Sequence, residues 1–192
     1  YHVPDSKNSL SFYVLYNDRR LFFVGTKKKL TIFQIINKSR NIFQFNKLKE
    51  VVMKDKIRSI DKFDEDSIII GLVNNYVICE FADFGVSSLA IEKNDNMLSQ
   101  GTSFSYFGLS SSTPVMWTIQ ISDDLFLLVK DTQIVKIDRR NGPSMILSSI
   151  KLSGIPIEVL FIYPIYLFVV YPKKIEIVDV TSGDLIQKLG HS

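Results

Sequence analysis

The fold class is decided by residues 165–179, which read Ile-Tyr-Leu-Phe-Val-Val-Tyr-Pro-Lys-Lys-Ile-Glu-Ile-Val-Asp. A continuous apolar run leads into a short turn of proline and lysine, and an alternation of apolar and polar residues follows. The continuous run is typical of a strand covered on both faces, and the alternation is typical of a strand with one face in water. The stretch therefore predicts a β-hairpin.

The same plan occurs four times along the 192 residues. In each copy an apolar strand, a polar turn and a strongly apolar strand are followed by a two-residue turn and an alternating strand. The strongly apolar strands begin at residues 21, 67, 125 and 165, a spacing typical of β-propeller blades. We therefore predict an all-β chain, a partial β-propeller over residues 1–192 with about four blades. The blades are expected at approximately 10–46, 47–91, 115–150 and 155–190, with an irregular connection at 92–114.

Stacked blades also predict where apolar surface remains uncovered. Each sheet of such a stack is covered by its neighbours, so an open stack leaves one face of the first sheet and one face of the last sheet without a cover.

The apolar segment 155–171 contains Glu158 and Pro164. We read it as two buried strands around a turn, because a membrane-spanning helix would not tolerate this pattern.

Few residues carry the chemistry that an enzyme needs. The only two histidines, His2 and His191, lie at the ends of the chain, and there is no glycine-rich phosphate loop and no Cys-x-x-Cys or His-Glu-x-x-His motif. The polar residues expected on the innermost strands are too few for an active site in a propeller channel; they are Tyr13, Ser59, Thr118 and Glu158. We predict no catalytic residues, no cofactor and no metal, and therefore a chain that is not an enzyme.

Composition limits the remaining classes. The 23 basic and 20 acidic side chains leave a net charge of +3, which is too small to predict nucleic-acid binding. Cys79 lies in an apolar alternation, which predicts a buried thiol in a reducing cytosol. The acidic clusters at residues 64–66 and 123–124 fall on equivalent turns, so we interpret them as turn residues; the alternatives are catalysis by paired carboxylates and ligation of a hard cation such as calcium.

Turns of a blade alternate between the two faces of a propeller, so each face can be charged separately. One face collects nine lysines against four acidic residues, a balance of +5, and the opposite face has six basic against eight acidic residues, or −2. The lysines of the first face are Lys27, Lys28, Lys29, Lys54, Lys56, Lys93, Lys130, Lys173 and Lys174. We predict a partner-binding basic face at Lys27, Lys28, Lys29, Lys173 and Lys174; the alternative is that these side chains are simply solvated.

Three stretches resemble the citron homology (CNH) family. Residues 21–30, Leu-Phe-Phe-Val-Gly-Thr-Lys-Lys-Lys-Leu, are similar to its strand pair with a Val-Gly-Thr element and a basic turn. Near the end, Tyr163-Pro164, the turn at 172–174 leading into Ile-Glu-Ile, and residues 183–187 resemble its closing signature, and residues 126–131 resemble an element between them. Since citron homology domains are larger than 192 residues, the resemblance implies the later part of a larger propeller.

Within that family the pattern is closest to the amino-terminal propellers of the vacuolar sorting subunits of the HOPS and CORVET tethering complexes. This resemblance implies a non-catalytic interaction module that recognises a Rab-type small GTPase or other subunits of the complex. It also implies a cytoplasmic protein, peripheral on the vacuole, lysosome or endosome, with possible contact to an anionic membrane. The alternative is the citron homology domain of a Rho guanine-nucleotide exchange factor or a germinal-centre-type kinase. The motif carries over no GTPase-contacting residue.

Overall fold

The computed structural model describes residues 9–16, 19–39, 42–73, 75–89, 91–92, 115–130, 133–140 and 144–190. The irregular connection expected at 92–114, apart from Glu92, lies outside the described residues, as do His2 and His191. Every regular element in the described part is a strand, so the prediction of an all-β chain is confirmed. In the described residues no helix is long and apolar enough to cross a membrane.

The described strands form four sheets, and in each sheet four consecutive strands pair antiparallel in chain order. Sheet 1 contains β1 (Leu10–Tyr16), β2 (Arg19–Thr26), β3 (Lys29–Ser39) and β4 (Ile42–Val52). Sheet 2 contains β5 (Ile57–Lys62), β6 (Ser67–Leu72), β7 (Tyr76–Glu80) and β8 (Val86–Ser88).

Sheet 3 contains β10 (Val115–Gln120), β11 (Leu125–Lys130), β12 (Gln133–Asp138) and β13 (Ser144–Lys151), and the short β9 (Ile91–Glu92) pairs parallel with β13. Sheet 4 contains β14 (Glu158–Ile162), β15 (Tyr166–Tyr171), β16 (Lys174–Asp179) and β17 (Leu185–Gly190). This up-and-down order of four strands is that of a propeller blade. The segment 155–171 is therefore a pair of strands, as expected.

The chain divides into two compact units. Unit 1 holds sheets 1 and 2 together with residues 115–118, and unit 2 holds the remainder of sheet 3 and sheet 4. Each unit is described by itself below.

The core of unit 1 lies between sheets 1 and 2. Phe23 of β2 stacks on Phe81 with ring centroids 5.6 Å apart, and both side chains are fully buried. A Cβ added at Gly25 would lie 3.0 Å from Ile57 Cγ2 and 3.0 Å from Ile60 Cδ1. Glycine at this position therefore allows β2 to approach β5 closely, which is a physical reason for the glycine of the Val-Gly-Thr element.

The strongly apolar strands differ in how they are covered. All six residues of β6 are buried, as are five of the six residues of β11. In β15 burial alternates, so one face of sheet 4 is buried and the other is exposed. Within the described residues, the prediction that residues 167–170 are covered on both faces was wrong for one face: Leu167 and Val169 are buried, whereas Phe168 and Val170 are only half-buried.

The third and fourth strands of three sheets share an irregularity at the same position. The pairing register shifts by one residue between the fourth and fifth residues of β3, β12 and β16. One residue on the facing outer strand is skipped in each case, namely Leu48, Leu147 and Ile186. Such a bulge bends the outer strand and increases its twist locally.

Two smaller expectations are confirmed. Cys79 is fully buried, and burial raises the pKa of its thiol to about 12, so it is an inert core residue. The carboxylate of Asp64 accepts hydrogen bonds from the backbone N–H of Asp66 at 2.8 Å and from the hydroxyl of Ser67 at 2.7 Å. The acidic cluster at 64–66 therefore stabilises its own turn.

Candidate partner-binding surface

The turn between β2 and β3 is held in place by its own backbone. The carbonyl of Lys28 accepts a hydrogen bond from the N–H of Met53 at 2.6 Å, and the carbonyl of Lys27 accepts one from Ile57 at 2.7 Å. Lys27 has φ +50°, a left-handed conformation that side chains other than glycine seldom adopt. Both turn carbonyls are thus fixed against the segment that leads from β4 into β5.

This docking brings two lysine-rich segments together in unit 1. Lys28 Nζ donates a hydrogen bond to the carbonyl of Lys54 at 2.9 Å and lies 3.9 Å from a carboxylate oxygen of Asp55. We name as the basic cluster the six cationic residues of the turn and of the segment it contacts: Lys27, Lys28, Lys29, Lys54, Lys56 and Arg58. Glu50 and Asp55 are the acidic residues paired with it, so the local balance is six against two, or +4.

The two acidic residues neutralise only part of the basic cluster. Lys29 Nζ lies 3.2 Å from Glu50, which also accepts a hydrogen bond from Lys47 on β4. Hydrogen bonds from Lys47 and Lys29 hold the pKa of Glu50 below its usual value, so this carboxylate is ionised at neutral pH. Lys27 and Lys56 are exposed, and within the described ranges neither ammonium has an ion-pair partner.

The other two predicted residues lie in unit 2, at the turn between β15 and β16. Lys173 is exposed. Lys174 is half-buried and engaged within its own sheet: Nζ lies 2.6 Å from Glu176 Oε1, 2.6 Å from Ser153 Oγ and 4.6 Å from the centre of the Tyr171 ring. A binding role for this pair stays a prediction.

One lysine and one arginine show what the turn argument missed. Lys130, assigned to the basic face, is only 1% exposed because it ends the buried strand β11. Arg58 was not assigned to that face because it falls inside a strand. The pairing register between β5 and β6 shifts between Ile57 and Ser59, so β6 skips Arg58, and the side chain of Arg58 is exposed. The sequence did contain a signal for Arg58, namely a charged residue that follows the apolar Ile57 at the start of the strand.

The innermost strands of unit 1 contain one polar contact that was not predicted. Thr118 Oγ1 donates a hydrogen bond to Asp61 Oδ2 at 3.0 Å. Burial raises the pKa of Asp61, although the hydrogen bond from Thr118 opposes this shift. Three other polar residues were expected on the innermost strands. Ser59 is buried, and Glu158 of unit 2 is exposed. The side chain of Tyr13 lies outside the described part. Across the described residues no three His, Cys, Asp or Glu side chains are grouped to hold a metal ion.

Comparison with known proteins agrees with this architecture. The chain is 26% identical over 178 residues to "Vacuolar morphogenesis protein 6" of Schizosaccharomyces pombe, covering 93% of this chain and 19% of that protein. Among solved structures it is similar to the "AfRom2 CNH domain", with a TM-score of 0.68, 16% identity and coverage of 95% of this chain and 55% of the other. It thus spans about a fifth of the first relative and about half of the second.

The blade architecture also occurs in proteins of other kinds. The chain superimposes on "Dihydro-heme d1 dehydrogenase NirN" with a TM-score of 0.65 and 14% identity, over 96% of this chain and 37% of the other. At this identity the likeness concerns the fold alone. The sequence pattern of the CNH domain, a family of protein-interaction domains, matches residues 1–192 in full. The chain therefore belongs to the CNH domain family.

Proposed function

We propose that this chain is the protein-interaction propeller of a membrane-tethering subunit at the vacuole or endosome. In this proposal it recognises a Rab-type small GTPase or a partner subunit during vesicle fusion. The family supports an interaction role, and the similarity to a vacuolar morphogenesis protein supports the vacuolar setting.

The observation that carries the proposal is the basic cluster of unit 1. Backbone hydrogen bonds from Met53 and Ile57 fix the position of the turn that contains it. A preformed surface of like charge raises the association rate with a partner of opposite charge and aligns that partner before contact. The preferred partner is thus a folded protein with an acidic surface.

Binding of purified GTPases tests the proposal directly. The immobilised chain is offered Rab-type GTPases in the GDP-bound and GTP-bound states, with Rho-type GTPases included because exchange factors and germinal-centre-type kinases remain the alternative. We expect one Rab-type protein to bind in a nucleotide-dependent manner. Nucleotide-independent capture, or capture of a Rho-type protein alone, would contradict the proposal.

Charge reversal locates the surface. The triple variant Lys27→Glu, Lys54→Glu, Lys56→Glu is expected to weaken binding by about tenfold at low salt, and the difference should shrink as salt is raised. Lys151→Glu with Lys188→Glu is the control in unit 2, because both lysines are exposed and neither belongs to the predicted basic face. A loss in the control equal to that in the triple variant would move the binding surface to unit 2. Sedimentation with anionic vesicles tells a membrane contact from a protein contact.

A further inference from the structure

The segment that joins sheet 3 to sheet 4 holds two isoleucines in contact with water. Residues 152–157 lead from β13 to β14, and we name them the isoleucine link. Leu152 and Pro156 of the link are buried, whereas Ile155 and Ile157 are each 61% exposed. A residue that is packed into the fold therefore lies between two aliphatic side chains that project from it.

Hydrogen bonds fix both ends of the isoleucine link to the neighbouring strands. At one end the hydroxyl of Ser153 donates to Glu176 Oε2 at 2.8 Å and accepts from Lys174 Nζ at 2.6 Å. At the other end the N–H of Ile157 donates to the carbonyl of Val170 at 2.7 Å. The two isoleucines are thus held in place before any partner arrives, so binding costs little ordering of the backbone.

The segment that joins sheet 1 to sheet 2 is equivalent in length and in burial. Residues 53–58 follow β4 as residues 152–157 follow β13. Both stretches show the same order of positions, namely buried, exposed, half-buried, exposed, buried and exposed. The exposed positions hold different chemistry in the two stretches: they are Lys54, Lys56 and Arg58 in the first, and Ser153, Ile155 and Ile157 in the second.

The exposure of these positions belongs to their place in the blade. Sheet 2 is followed in the chain by two further sheets, yet the segment that leads into it is exposed in the same pattern as the isoleucine link. A cover on the exposed face of sheet 4 would therefore leave Ile155 and Ile157 in water. Their exposure calls for an occupant other than a neighbouring sheet.

The surroundings of the isoleucine link fit the surface of an anionic bilayer. Lys173, in the turn between β15 and β16, is exposed and precedes Lys174, which contacts Ser153 of the link. Ammonium groups attract anionic headgroups, while aliphatic side chains enter the boundary between the headgroups and the acyl chains. A protein partner would need a pocket shaped for the two projecting side chains, whereas fluid lipid adapts to them.

Two carboxylates of sheet 4 lie close to the link in sequence or in space. Glu176 is neutralised by its ion pair with Lys174. Glu158 follows Ile157, but it pairs with Val170 on the exposed face of sheet 4. Neither carboxylate therefore presents an unpaired negative charge beside both isoleucines.

We infer that Ile155 and Ile157 form a membrane-contact site, which enters the headgroup region of an anionic bilayer with Lys173 at its margin. At the equivalent positions of unit 1 the basic cluster has cations, which do not enter an apolar boundary without cost. The two segments thus suit different partners, an acidic protein in unit 1 and lipid in unit 2. The contact is weak and reversible by itself, because so few aliphatic carbons enter the bilayer. It needs no GTPase and so goes beyond the proposed function.

Sedimentation with lipid vesicles tests the inference. The vesicles contain phosphatidylcholine alone, or three parts phosphatidylcholine and one part phosphatidylserine. We expect the chain to sediment with the mixed vesicles, and its partition coefficient to fall at least about fivefold in the double variant Ile155→Ser, Ile157→Ser. This variant keeps the net charge, so the difference measures the aliphatic contact. Failure to sediment at any lipid concentration, or an unchanged coefficient in the double variant, would overturn the inference.

The matched control removes two exposed aliphatic side chains of unit 1. Leu48 and Val86 are 39% and 37% exposed, and the variant Leu48→Ser, Val86→Ser should change the partition coefficient by less than about twofold. Lys173→Gln should weaken binding to the mixed vesicles and leave binding to phosphatidylcholine alone unchanged. An equal loss in the control and in the isoleucine variant would show that the contact is not specific to the link, and would overturn the inference.

A fluorescent label reports insertion directly. Ile155→Cys is labelled with a nitrobenzoxadiazole dye, while the buried Cys79 does not react. The dye emission should shift to shorter wavelength when mixed vesicles are added, and a Leu48→Cys control should show no shift. Binding without a shift, which is lost instead when Lys27, Lys54 and Lys56 are changed to Glu, would place the membrane contact on the basic cluster and overturn the inference. No GTPase is present in these experiments, so their outcome is independent of the proposed function.

Discussion

Lys174 and Glu176, two positions apart on β16, form an ion pair with 2.6 Å between Nζ and Oε1, and their side chains are only 24% and 10% exposed. Ser153 joins them: its hydroxyl donates to Glu176 Oε2 at 2.8 Å. Three polar side chains therefore satisfy one another at the margin of the core of sheet 4, which is how charged groups are tolerated there.

Removing the carboxylate should destabilise unit 2. Glu176→Gln leaves Lys174 half-buried without its counter-ion, and we expect the free energy of unfolding to fall by about 1–2 kcal/mol, less than for a fully buried pair. Chemical denaturation measures this change. Glu158→Gln, at an exposed carboxylate of the same sheet, is the control and should stay within about 0.5 kcal/mol of the unsubstituted chain. Equal losses in the two variants would contradict the role of the ion pair.

The same carboxylate should make stability depend on acid pH. Burial disfavours the ionised form of Glu176, but the hydrogen bonds from Lys174 and Ser153 outweigh it and hold its pKa below the ordinary value of 4.5. A depressed pKa contributes stability above pH 4.5, and that stability is lost as the pH falls through the folded pKa. Melting temperatures between pH 7 and pH 3 should therefore decline less in Glu176→Gln. Parallel curves for the two proteins would refute this.

The contact between Thr118 and Asp61 predicts two opposite outcomes. Since burial raises the pKa of Asp61, the ionised carboxylate costs stability as the pH rises above the ordinary value of 3.8 through the folded pKa. At pH 7, Asp61→Asn should keep or raise the melting temperature, because the amide oxygen still accepts the hydrogen bond. Thr118→Val should lower the free energy of unfolding by about 1–2 kcal/mol, because it removes the hydrogen bond to Asp61 Oδ2 and leaves only the one from the backbone N–H of Lys62 to Oδ1. Thermal melts of the two variants measure both effects, and a large loss in Asp61→Asn would show that the negative charge itself is required.

Gly25 tests the close approach of sheets 1 and 2. Gly25→Val would press against Ile57 and Ile60 in a filled core, and overpacking of this kind costs about 1–3 kcal/mol. Gly190→Ala, where an added Cβ meets nothing within 4 Å, should be neutral. Denaturant midpoints compare the two variants. A neutral Gly25→Val would mean that the sheets can separate without cost.

The left-handed turn residue gives a prediction about backbone strain. Lys27→Gly should keep or raise stability by up to about 1 kcal/mol, because glycine adopts φ +50° freely. Lys27→Val should lower it by more than about 1 kcal/mol, since a β-branched residue is rarely found there. Both substitutions remove the same charge, so the difference between their melting temperatures measures the effect of the backbone conformation at this position. Identical melting temperatures would show that the turn relaxes.

Strand order and the buried thiol were predictable because they depend on local patterns. The alternation around Cys79 and the turn chemistry of Asp64 involve residues within a few positions of each other. The sequence could place Lys27 and Lys54 on the same face, but it could not predict that their segments lie in contact. That contact depends on hydrogen bonds between segments about 26 residues apart.

The remaining features depend on packing that no local pattern records. Lys130 is buried because of its place at the end of a covered strand, and Lys174 is engaged because Ser153 reaches it from another segment. β15 is as apolar in sequence as β11, yet burial alternates along β15, whereas five of the six residues of β11 are buried.

The shared bulge has a consequence for comparing the repeats by eye or by alignment. Because Leu48, Leu147 and Ile186 are each skipped by the facing strand, the side-chain alternation changes phase at these residues. A sequence alignment without gaps, which assumes a two-residue alternation throughout, therefore makes β4, β13 and β17 look irregular. In the structure the three strands carry the bulge at the same place relative to their neighbours. Aligning the three outer strands on the skipped aliphatic residue restores their common phase. These three positions are also the places where a single-residue deletion would leave both halves of an outer strand on their present faces, because it would only remove the bulge.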